Sequence, residues 1–453
     1  MDKIQLLQDR KAQIIQASKE IREDIAKIID EDSFVELSAF SFSKNDFYGE
    51  EVAGEGVVTG FATVDGKPIY VVAQNFSAQG GGLSEANCAK IVKCIDAAER
   101  ASTPLLYILN TRGVQVGEGI PVLEGLGKLL LRCVQLKQCA PQYVVINGEV
   151  YGTAAMLAAI ANFTFFVEKK SVLAVNSPFV LSAKAGKNLS KEDVGNASAL
   201  NKTCIPTFVV QDLGEVREKI SALSVLCDEP IIEAELNAAV PALNETCDAK
   251  TLLTIFESYI ELGSVCAPDV KTVMGRIGGI AVAAIIFDGE NGVELNADKI
   301  AKIKNFANLA GYCNLPLITF ADVKGIAPCL NVNNSYVLRE AAEYLEIFQD
   351  LNVPKISVVY KQAIGLGYSL FASKSIGFDY ACAFANAKIA LFDSVQGAKI
   401  ELKDEKADEG ALVTRYAEEN SDPINAAKDG YIDAIIEPQF VKQYLIAALQ
   451  MLQ

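Results

Sequence analysis

The hydrophobic pattern of Ala140–Val167 predicts a buried strand, a sharp turn and a short helix. A β-branched run at 144–146 follows Pro141, and a run of small, helix-favouring residues follows Gly152. A turn of this kind presents backbone N–H groups at the start of a helix, where they can bind an anion or a developing oxyanion. This strand–turn–helix is therefore the first candidate for chemistry in the chain.

The same pattern recurs in residues 353–384. Pro354 lies 213 positions after Pro141 (354 − 141 = 213), and Gly365 lies 213 positions after Gly152 (365 − 152 = 213). Such self-similarity at a fixed spacing is typical of an internal repeat.

Upstream segments repeat as well. Thr103–Gly113 resembles Leu315–Gly325, with the closing glycines 212 positions apart (325 − 113 = 212), and Gly54–Val64 resembles Met274–Ala284. We therefore predict a two-fold duplication of one α/β unit, with a similar pocket in each half.

Periodicity along the rest of the chain predicts alternating strands and helices. Asp65-Gly66 is a two-residue hairpin signal between two of the strands. Two prolines and weak periodicity at 228–248 predict a linker, which gives an N-terminal domain at 1–227 and a C-terminal domain at 249–453. Strands are predicted at 56–64, 68–74, 105–109, 280–287 and 317–321, and helices at 1–30, 84–100, 123–137, 296–313, 337–351 and 438–452.

Composition excludes several classes of site. The net charge of −16 argues against nucleic acid or an anionic membrane as the main partner. The chain contains no histidine, which excludes a histidine general base, a histidine triad and histidine metal ligands. The cysteines form no C-x-x-C pair, so we predict no metal site. Any chemistry would then use backbone donors, carboxylates, hydroxyls, lysine, cysteine or the substrate itself.

The N-terminal segment is charged from residue 2 and lacks the apolar core of a signal peptide. The longest apolar run, Ile277–Phe287, is too short to span a bilayer. We therefore expect a cytoplasmic protein.

The motifs resemble those of the carboxyltransferase subunits of biotin-dependent acyl-CoA carboxylases and decarboxylases, within the crotonase superfamily. The resemblance extends from about Glu31 to the C-terminus. It implies an α/β fold of two tandem crotonase-like (ClpP/crotonase ββα-spiral) domains related by internal duplication. The matching segments are Ser33–Leu37, Gly54–Gly60, Ala73–Lys90, Gly148–Ala154, Leu315–Gly325 and Ala363–Tyr368.

The resemblance implies a role for each turn. The N-terminal half would bind an acyl-CoA thioester, with the N–H groups near Gly152 and Thr153 stabilising its enolate oxygen. The C-terminal half would bind the ureido oxygen of carboxybiotin near Gly365, Leu366 and Gly367. Carboxybiotin would release CO₂, and the biotin anion would remove the α-proton, so that the protein supplies positioning and oxyanion stabilisation.

Several further contacts and partners follow from the resemblance. The chain has no biotinylation motif of the AMKM type, so biotin would arrive on a separate carrier protein. A homo-oligomer built from dimers, up to a hexamer, and a membrane decarboxylase subunit are the other partners implied. Residues expected to contact coenzyme A lie in two glycine-rich loops: Gly80, Gly81, Gly82, Arg112 and Gly113.

Simpler interpretations remain beside these. The turn glycines could serve only close packing, Thr153 could cap a helix, and Gly80–Gly82 could be a plain turn. Lys184 and Lys187 could meet CoA phosphates or be ordinary surface residues, and Glu118 could be a site carboxylate or a loop cap.

Two other functions also stay open. Relatives have Gly-Gly pairs where this chain has Gly152-Thr153 and Gly365-Leu366, which favours a structural subunit that has lost catalysis. The N-terminal turn alone would also suit a crotonase-like acyl-CoA hydratase, isomerase or hydrolase.

Overall fold

The structure, a computed structural model, divides into two compact units, Met1–Ser224 and Val225–Gln453. It describes residues 3–41, 52–196, 200, 203–226, 228, 237–326, 333–401 and 408–452. The predicted functional domains (1–227 and 249–453) and the predicted linker (228–248) remain predictions. Within that linker, residues 242–245 form a helix.

The first unit is organised around one eight-stranded sheet with the order β1-β2-β3-β4-β5-β6-β8, and β7 extends β5. The first three strands pair antiparallel and the remaining pairs are parallel. The strands are β1 (Val35–Leu37), β2 (Val57–Val64), β3 (Lys67–Gln74), β4 (Leu105–Thr111), β5 (Gln142–Tyr151), β6 (Phe163–Val167), β7 (Val172–Ala174) and β8 (Phe208–Val210).

Helices of the first unit connect several of these parallel strands, precede the first strand or follow the last one. The buried core joins the apolar faces of α3 and α4 to the central strands, through residues such as Ile95, Leu129 and Ile146. The helices are α1 (Lys3–Ala17), α2 (Lys19–Ala26), α3 (Glu85–Arg100), α4 (Ile120–Leu136), α5 (Ala155–Ile160), α6 (Pro178–Ala185), α7 (Glu192–Gly195) and α8 (Leu213–Val225). Short 3₁₀ turns lie at Gly54–Gly56, Gln79–Gly81, Val116–Glu118 and Gly152–Ala154.

The second unit repeats this plan in a nine-stranded sheet with the order β17-β15-β14-β13-β11-β10-β9, while β12 pairs with β13 and β16 with β14. The strands are β9 (Ser258–Leu262), β10 (Val270–Ile277), β11 (Ile280–Phe287), β12 (Val293–Leu295), β13 (Leu317–Ile326), β14 (Lys355–Ile364), β15 (Tyr380–Phe384), β16 (Lys388–Ala390) and β17 (Ala434–Ile436).

The helices of the second unit occupy the equivalent connections. They are α9 (Ala242–Glu245), α10 (Ala249–Leu252), α11 (Ala297–Tyr312), α12 (Asn333–Asp350), α13 (Leu366–Phe371), α14 (Ser394–Glu401), α15 (Glu409–Asn420), α16 (Pro423–Lys428) and α17 (Val441–Leu452). Short 3₁₀ turns lie at Leu253–Ile255, Lys374–Ile376 and Pro438–Phe440.

The pairing registers correct one predicted equivalence. β2 and β10 each form the first strand of a hairpin, and their paired ranges end 213 positions apart (277 − 64 = 213). The segment Met274–Ala284 instead spans the end of β10, the turn and the start of β11. Its resemblance to Gly54–Val64 was out of register by seven residues (220 − 213 = 7), because small and β-branched residues recur throughout both hairpins.

Both hairpins close on two-residue turns with positive φ. Asp65 and Gly66 have φ of 50° and 76°, which confirms the predicted hairpin, and Gly278 and Gly279 have φ of 60° and 79°. This backbone matches the right-handed twist of the flanking strands.

A carboxylate holds each of these turns. Asp30 accepts hydrogen bonds from the N–H groups of Asp65 and Gly66 at 3.0 and 2.9 Å, and it pairs with Arg217 of α8 at 2.6 Å. In the second unit, Glu257 accepts from both turn glycines at 3.0 and 3.2 Å and pairs with Lys442 of α17 at 2.6 Å. The duplication therefore extends to a contact that the sequence pattern does not reveal.

Each unit also buries one lysine at an equivalent position (302 − 90 = 212). The Lys90 ammonium donates to the carbonyls of Gly54 and Val57 at 2.8 and 2.7 Å. Lys302 donates to the carbonyls of residues 266, 267 and 270 at 2.7, 3.3 and 2.6 Å. Burial lowers the pKa of both amines to about 8. These lysines satisfy the carbonyls that lead into the first hairpin of each sheet.

Candidate active site

The predicted turn of the first unit lies at the carboxyl end of β5. Gly152 has φ of 73°, and its N–H donates to the Val175 carbonyl at 3.1 Å. A Cβ at this position would meet nothing within 4 Å. The glycine is therefore required by its backbone conformation and not by close packing.

Thr153 follows this glycine with its side chain exposed. The cap positions of the turn and of α5 are occupied by Tyr151 and Ala154, so the structure gives no support to Thr153 as a helix cap. Among the described residues, no main-chain carbonyl accepts a hydrogen bond from the Thr153 N–H. That N–H is the candidate oxyanion donor of the first unit.

The turn of the second unit has the same anchoring. Gly365, with φ of 54° and ψ of −129°, is the N-cap of α13, and its N–H donates to the Ala390 carbonyl at 3.0 Å. Within the described part of the chain, the N–H groups of Leu366 and Gly367 reach no main-chain carbonyl, as expected for the first turn of a helix. They are the candidate donors of the second unit.

Gly367 has a packing role in addition. A Cβ there would lie 2.7 Å from the Val323 side chain and 3.2 Å from the Gly325 nitrogen. Only glycine therefore lets α13 approach β13 this closely.

A second glycine faces each turn. A Cβ on Gly113 would lie 3.4 Å from the Tyr151 carbonyl, and a Cβ on Gly325 would lie 3.4 Å from the Ile364 carbonyl. The structure thus brings Gly113 to the turn of the first unit. Its contact with coenzyme A stays a prediction.

The loop with Gly80, Gly81 and Gly82 packs against the loop that follows β4. The Arg112 N–H donates to the Gly80 carbonyl at 3.0 Å, and a Cβ on Gly81 would lie 2.1 Å from the Asn110 carbonyl. A Cβ on Gly82 would similarly meet the Gln115 side chain at 2.2 Å. Close backbone packing therefore explains Gly81, whereas the atoms nearest to a Cβ on Gly80 or Gly82 belong to flexible side chains.

The Arg112 guanidinium lies 5.0 Å from the centre of the Phe76 ring. This is a cation–π distance, and it fixes the side chain next to the glycine-rich loop. Its predicted role towards coenzyme A stays a prediction.

Three other candidates can be placed. Lys184 and Lys187 are exposed, and their predicted contact with CoA phosphates stays a prediction. Glu118 accepts a hydrogen bond from the Glu85 N–H at 2.8 Å, so its carboxylate caps the start of α3, which supports the loop-cap interpretation.

Sequence reasoning missed a charged cluster beside the second turn. Asp322 is fully buried in β13; one carboxylate oxygen accepts from Gln362 Nε2 at 2.9 Å, and the other lies 3.3 Å from Lys361 Nζ. Burial raises the Asp322 pKa, and its hydrogen bond to Gln362 and the Lys361 charge oppose this shift. The signal was available: Asp322 stands 212 positions after Asn110 (322 − 110 = 212), so the repeat replaces an amide with a carboxylate.

The described residues contain neither a metal-binding cluster nor a membrane-spanning helix. No group of three or more cysteine, aspartate or glutamate side chains within them could hold a metal ion. No described helix is long and apolar enough to cross a membrane.

Comparison with known proteins identifies the family. The family described as "Carboxyl transferase domain" matches residues 13–453. The chain belongs to this carboxyl transferase family. Membership confirms the family predicted from the sequence and, with it, the class of function: a carboxyltransferase subunit of a biotin-dependent acyl-CoA carboxylase or decarboxylase.

Two curated carboxyl transferase relatives align over nearly their full length. The chain is 29% identical to methylmalonyl-CoA decarboxylase subunit alpha of Veillonella parvula, over 100% of this chain and 96% of the relative. It is 28% identical to a putative propionyl-CoA carboxylase beta chain of Bacillus subtilis (strain 168), over 95% and 90%.

A solved carboxyl transferase structure establishes the fold. The crystal structure of transcarboxylase 12S, described as a hexamer with methylmalonyl-coenzyme A and methylmalonic acid bound, superposes with a TM-score of 0.89. It covers 99% of this chain and 94% of its own, at 24% identity. The predicted fold of two tandem crotonase-like domains is confirmed.

Proposed function

We propose that this carboxyl transferase moves a carboxyl group between biotin on a separate carrier protein and an acyl-CoA, with the acyl-CoA in the first unit and biotin in the second. One observation carries the proposal. Each unit ties the N–H of a positive-φ glycine to a neighbouring main-chain carbonyl, and the following N–H donates to no main-chain acceptor among the described residues. Such fixed donors suit an oxygen that gains charge during reaction.

The chain's residues would act through position. The N–H of Thr153 would stabilise the enolate oxygen of the thioester, and those of Leu366 and Gly367 would stabilise the ureido oxygen. Carboxybiotin, when bound, supplies CO₂ and a nitrogen anion that takes the α-proton. Each unit would position its own reactant, and this chemistry needs no histidine base.

The altered glycine pairs are compatible with activity. The donor at each turn is a backbone N–H, which threonine and leucine carry just as glycine does. Replacing the second glycine of each pair by Thr153 and Leu366 therefore keeps the donor while changing the side chain beside it. This argues against a purely structural subunit, and the complete second turn argues against a simple hydratase, isomerase or hydrolase.

Partners and surroundings follow from the same proposal. The names of the decarboxylase and carboxylase relatives support a multi-subunit complex, in which a biotin carrier and a membrane decarboxylase subunit would join this chain. The hexamer described for transcarboxylase 12S supports a homo-oligomer. We propose a cytoplasmic location, and contacts between coenzyme A and the loops that contain Gly80–Gly82, Arg112 and Gly113.

The test uses the full-length protein with methylmalonyl-CoA or malonyl-CoA as donor and free biotin as acceptor, with the carrier added in a second arm. The proposal predicts that decarboxylation of the acyl-CoA depends on biotin. Chromatography of the CoA esters measures the decarboxylation. A protein that binds CoA esters but decarboxylates none of them in either arm would instead support the structural subunit.

A further inference from the structure

A cavity of about 520 Å³ lies beside the turn of the second unit, and three lysines line it. Lys324 and Lys361 stand near the carboxyl ends of β13 and β14, and Lys388 begins β16. Ile364, the residue before the turn glycine, lines the same cavity. Three ammonium groups at one cavity are notable in a chain whose net charge is −16.

Three carboxylates lie close to these three lysines, and one of them, Asp322, pairs with Lys361. Glu290 and Asp393 also line the cavity, but one oxygen of Asp393 already accepts from the N–H groups of Val395 and Gln396 at 3.0 and 3.1 Å. Among the described residues, neither Lys324 nor Lys388 forms an ion pair. Since three carboxylates accompany the three lysines, recognition of an anion depends on individual ammonium groups and not on an excess of positive charge.

Asp322 lies beside Lys361, the middle one of the three lysines, and fixes its position. Its carboxylate is fully buried, and the oxygen 3.3 Å from Lys361 Nζ accepts no hydrogen bond from any described residue. An ammonium has three N–H donors, and Lys361 keeps 29% of its side chain exposed. The lysine is thus held at one side while its donors remain available on the other.

We infer that Lys361 binds the carboxylate of an N-carboxylated cyclic urea, positioned by Asp322, so that the cavity prefers carboxybiotin to biotin. This inference rests on the proposed function and names the residue that would distinguish the two forms. On a carrier, biotin is linked through an amide, so the transferred carboxyl group is the only charge that differs between them. A fixed ammonium therefore selects the carboxylated form by a charge-assisted hydrogen bond.

A matched pair of stable ligands tests the inference by calorimetry on the full-length protein. 2-Oxoimidazolidine-1-acetate carries a carboxylate one methylene away from the ring nitrogen, and 2-oxoimidazolidine-1-acetamide has the same ring and spacer without the charge. The wild-type protein should bind the acetate about 10-fold more tightly or better. Lys361→Met should remove that preference, and Lys361→Arg should restore most of it.

The controls separate a local from a general effect of charge. Lys374→Met removes a cation that pairs with Asp433 in the same unit and should leave the preference unchanged. Because Lys361→Met alone leaves a buried carboxylate uncompensated, the double variant Lys361→Met/Asp322→Asn provides a second test if the single variant unfolds. In it, too, the preference should be lost.

The inference would be overturned by equal affinity for the two ligands, by binding of neither, or by a preference that survives the loss of Lys361. Displacement of the acetate by coenzyme A in a competitive manner would assign the lysines to CoA phosphates and would also overturn it. Biotin-dependent decarboxylation by the wild-type protein is measured in parallel. Activity without the preference rejects this inference alone, whereas the preference without activity rejects the proposed function and leaves the carboxylate site standing.

Discussion

The two turns share one backbone but differ in the side chains around them. In the first unit, apolar side chains with large exposure follow the carboxyl ends of three neighbouring parallel strands. They are Val116 and Ile120 after β4, Met156 after β5, and Val175 and Phe179 after β7. In the second unit, the corresponding edge carries a cavity lined by Lys324, Lys361 and Lys388.

This comparison shows which features the two units of the duplication share and in which features they differ. Main-chain features coincide: the positive-φ glycine, its anchored N–H, the donors that follow and the second glycine that faces the turn. The side chains then diverged towards an apolar edge in one unit and a cavity lined by charged groups in the other. Equivalent backbone N–H donors with different side chains around them suit two chemically different reactants.

The largest expected effect tests whether both turns act through backbone donors. Thr153→Pro and Leu366→Pro each delete one N–H at the start of a helix, where the proline φ is tolerated. Each should lower kcat for biotin-dependent decarboxylation about 100- to 1,000-fold. Steady-state kinetics with methylmalonyl-CoA would measure this loss.

Matched alanine variants serve as controls for these two prolines. Thr153→Ala and Leu366→Ala keep the N–H and should stay within a few-fold of the wild-type rate. If only one proline variant loses activity, the functional equivalence of the two turns is wrong. If the alanine variants fall as far as the prolines, the side chains carry the effect.

The buried lysines provide the next comparison, on stability. Lys302→Met leaves three carbonyls without their donor and Lys90→Met leaves two. We expect losses in the free energy of unfolding of about 2–4 kcal/mol for the first and about 1–3 kcal/mol for the second. Urea unfolding followed by circular dichroism measures both, with the exposed Lys93→Met as the control on α3. A larger loss for Lys90→Met would contradict this ranking.

The same lysines predict a dependence on pH. Their pKa is about 8 in the folded protein, against 10.5 as the ordinary value. Between these values the unfolded chain keeps a proton that the folded chain has lost, so the free energy of unfolding should rise with pH from about 8 to 10.5. Each methionine variant should show a smaller rise than the wild-type protein across this window, and equal rises would contradict the assignment.

The two turn glycines should differ in how much an alanine substitution destabilises the protein, and this difference should be smaller than the effects above. Gly365 combines φ of 54° with ψ of −129°, a conformation that only glycine adopts readily, and a Cβ there would lie 3.2 Å from the Leu391 carbonyl. Gly152 has positive φ but open space around its Cβ position. Gly365→Ala should therefore cost about 2–3 kcal/mol of stability and Gly152→Ala about 1 kcal/mol. Thermal unfolding of the two variants measures the difference, and equal costs would show that the space around each turn does not matter.

The sequence predicted what depends on local pattern. Hydrophobic periodicity located β11 at Ile280–Phe287 without error and α3 within one residue, and the recurrence of Gly152 at Gly365 indicated both turns. It could not predict the contacts that join distant residues. The spacing of Asp30 from Asp65, or of Asp322 from Lys361, follows only from the strand order, because pairing registers decide which side chains meet.

The smallest expected effect concerns the carboxylates that hold the hairpins. Four groups donate to Asp30: the Thr63 hydroxyl, the Arg217 guanidinium and the two turn N–H groups. These hydrogen bonds, that of Thr63 first, hold the Asp30 pKa well below its usual range.

Asp30→Asn keeps the shape of this side chain but removes its charge, and should cost about 1 kcal/mol at neutral pH. Since the folded pKa is lowered, this contribution is complete above the ordinary aspartate pKa of 3.8 and fades as pH falls below it. The gap between the wild-type protein and Asp30→Asn in urea unfolding should therefore narrow from pH 5 towards pH 3. Glu257→Gln, which loses two longer N–H contacts and one lysine, should cost less than Asp30→Asn at neutral pH. A gap that stays constant with pH would mean that the Asp30 side chain stabilises its hairpin through its shape and not through its charge.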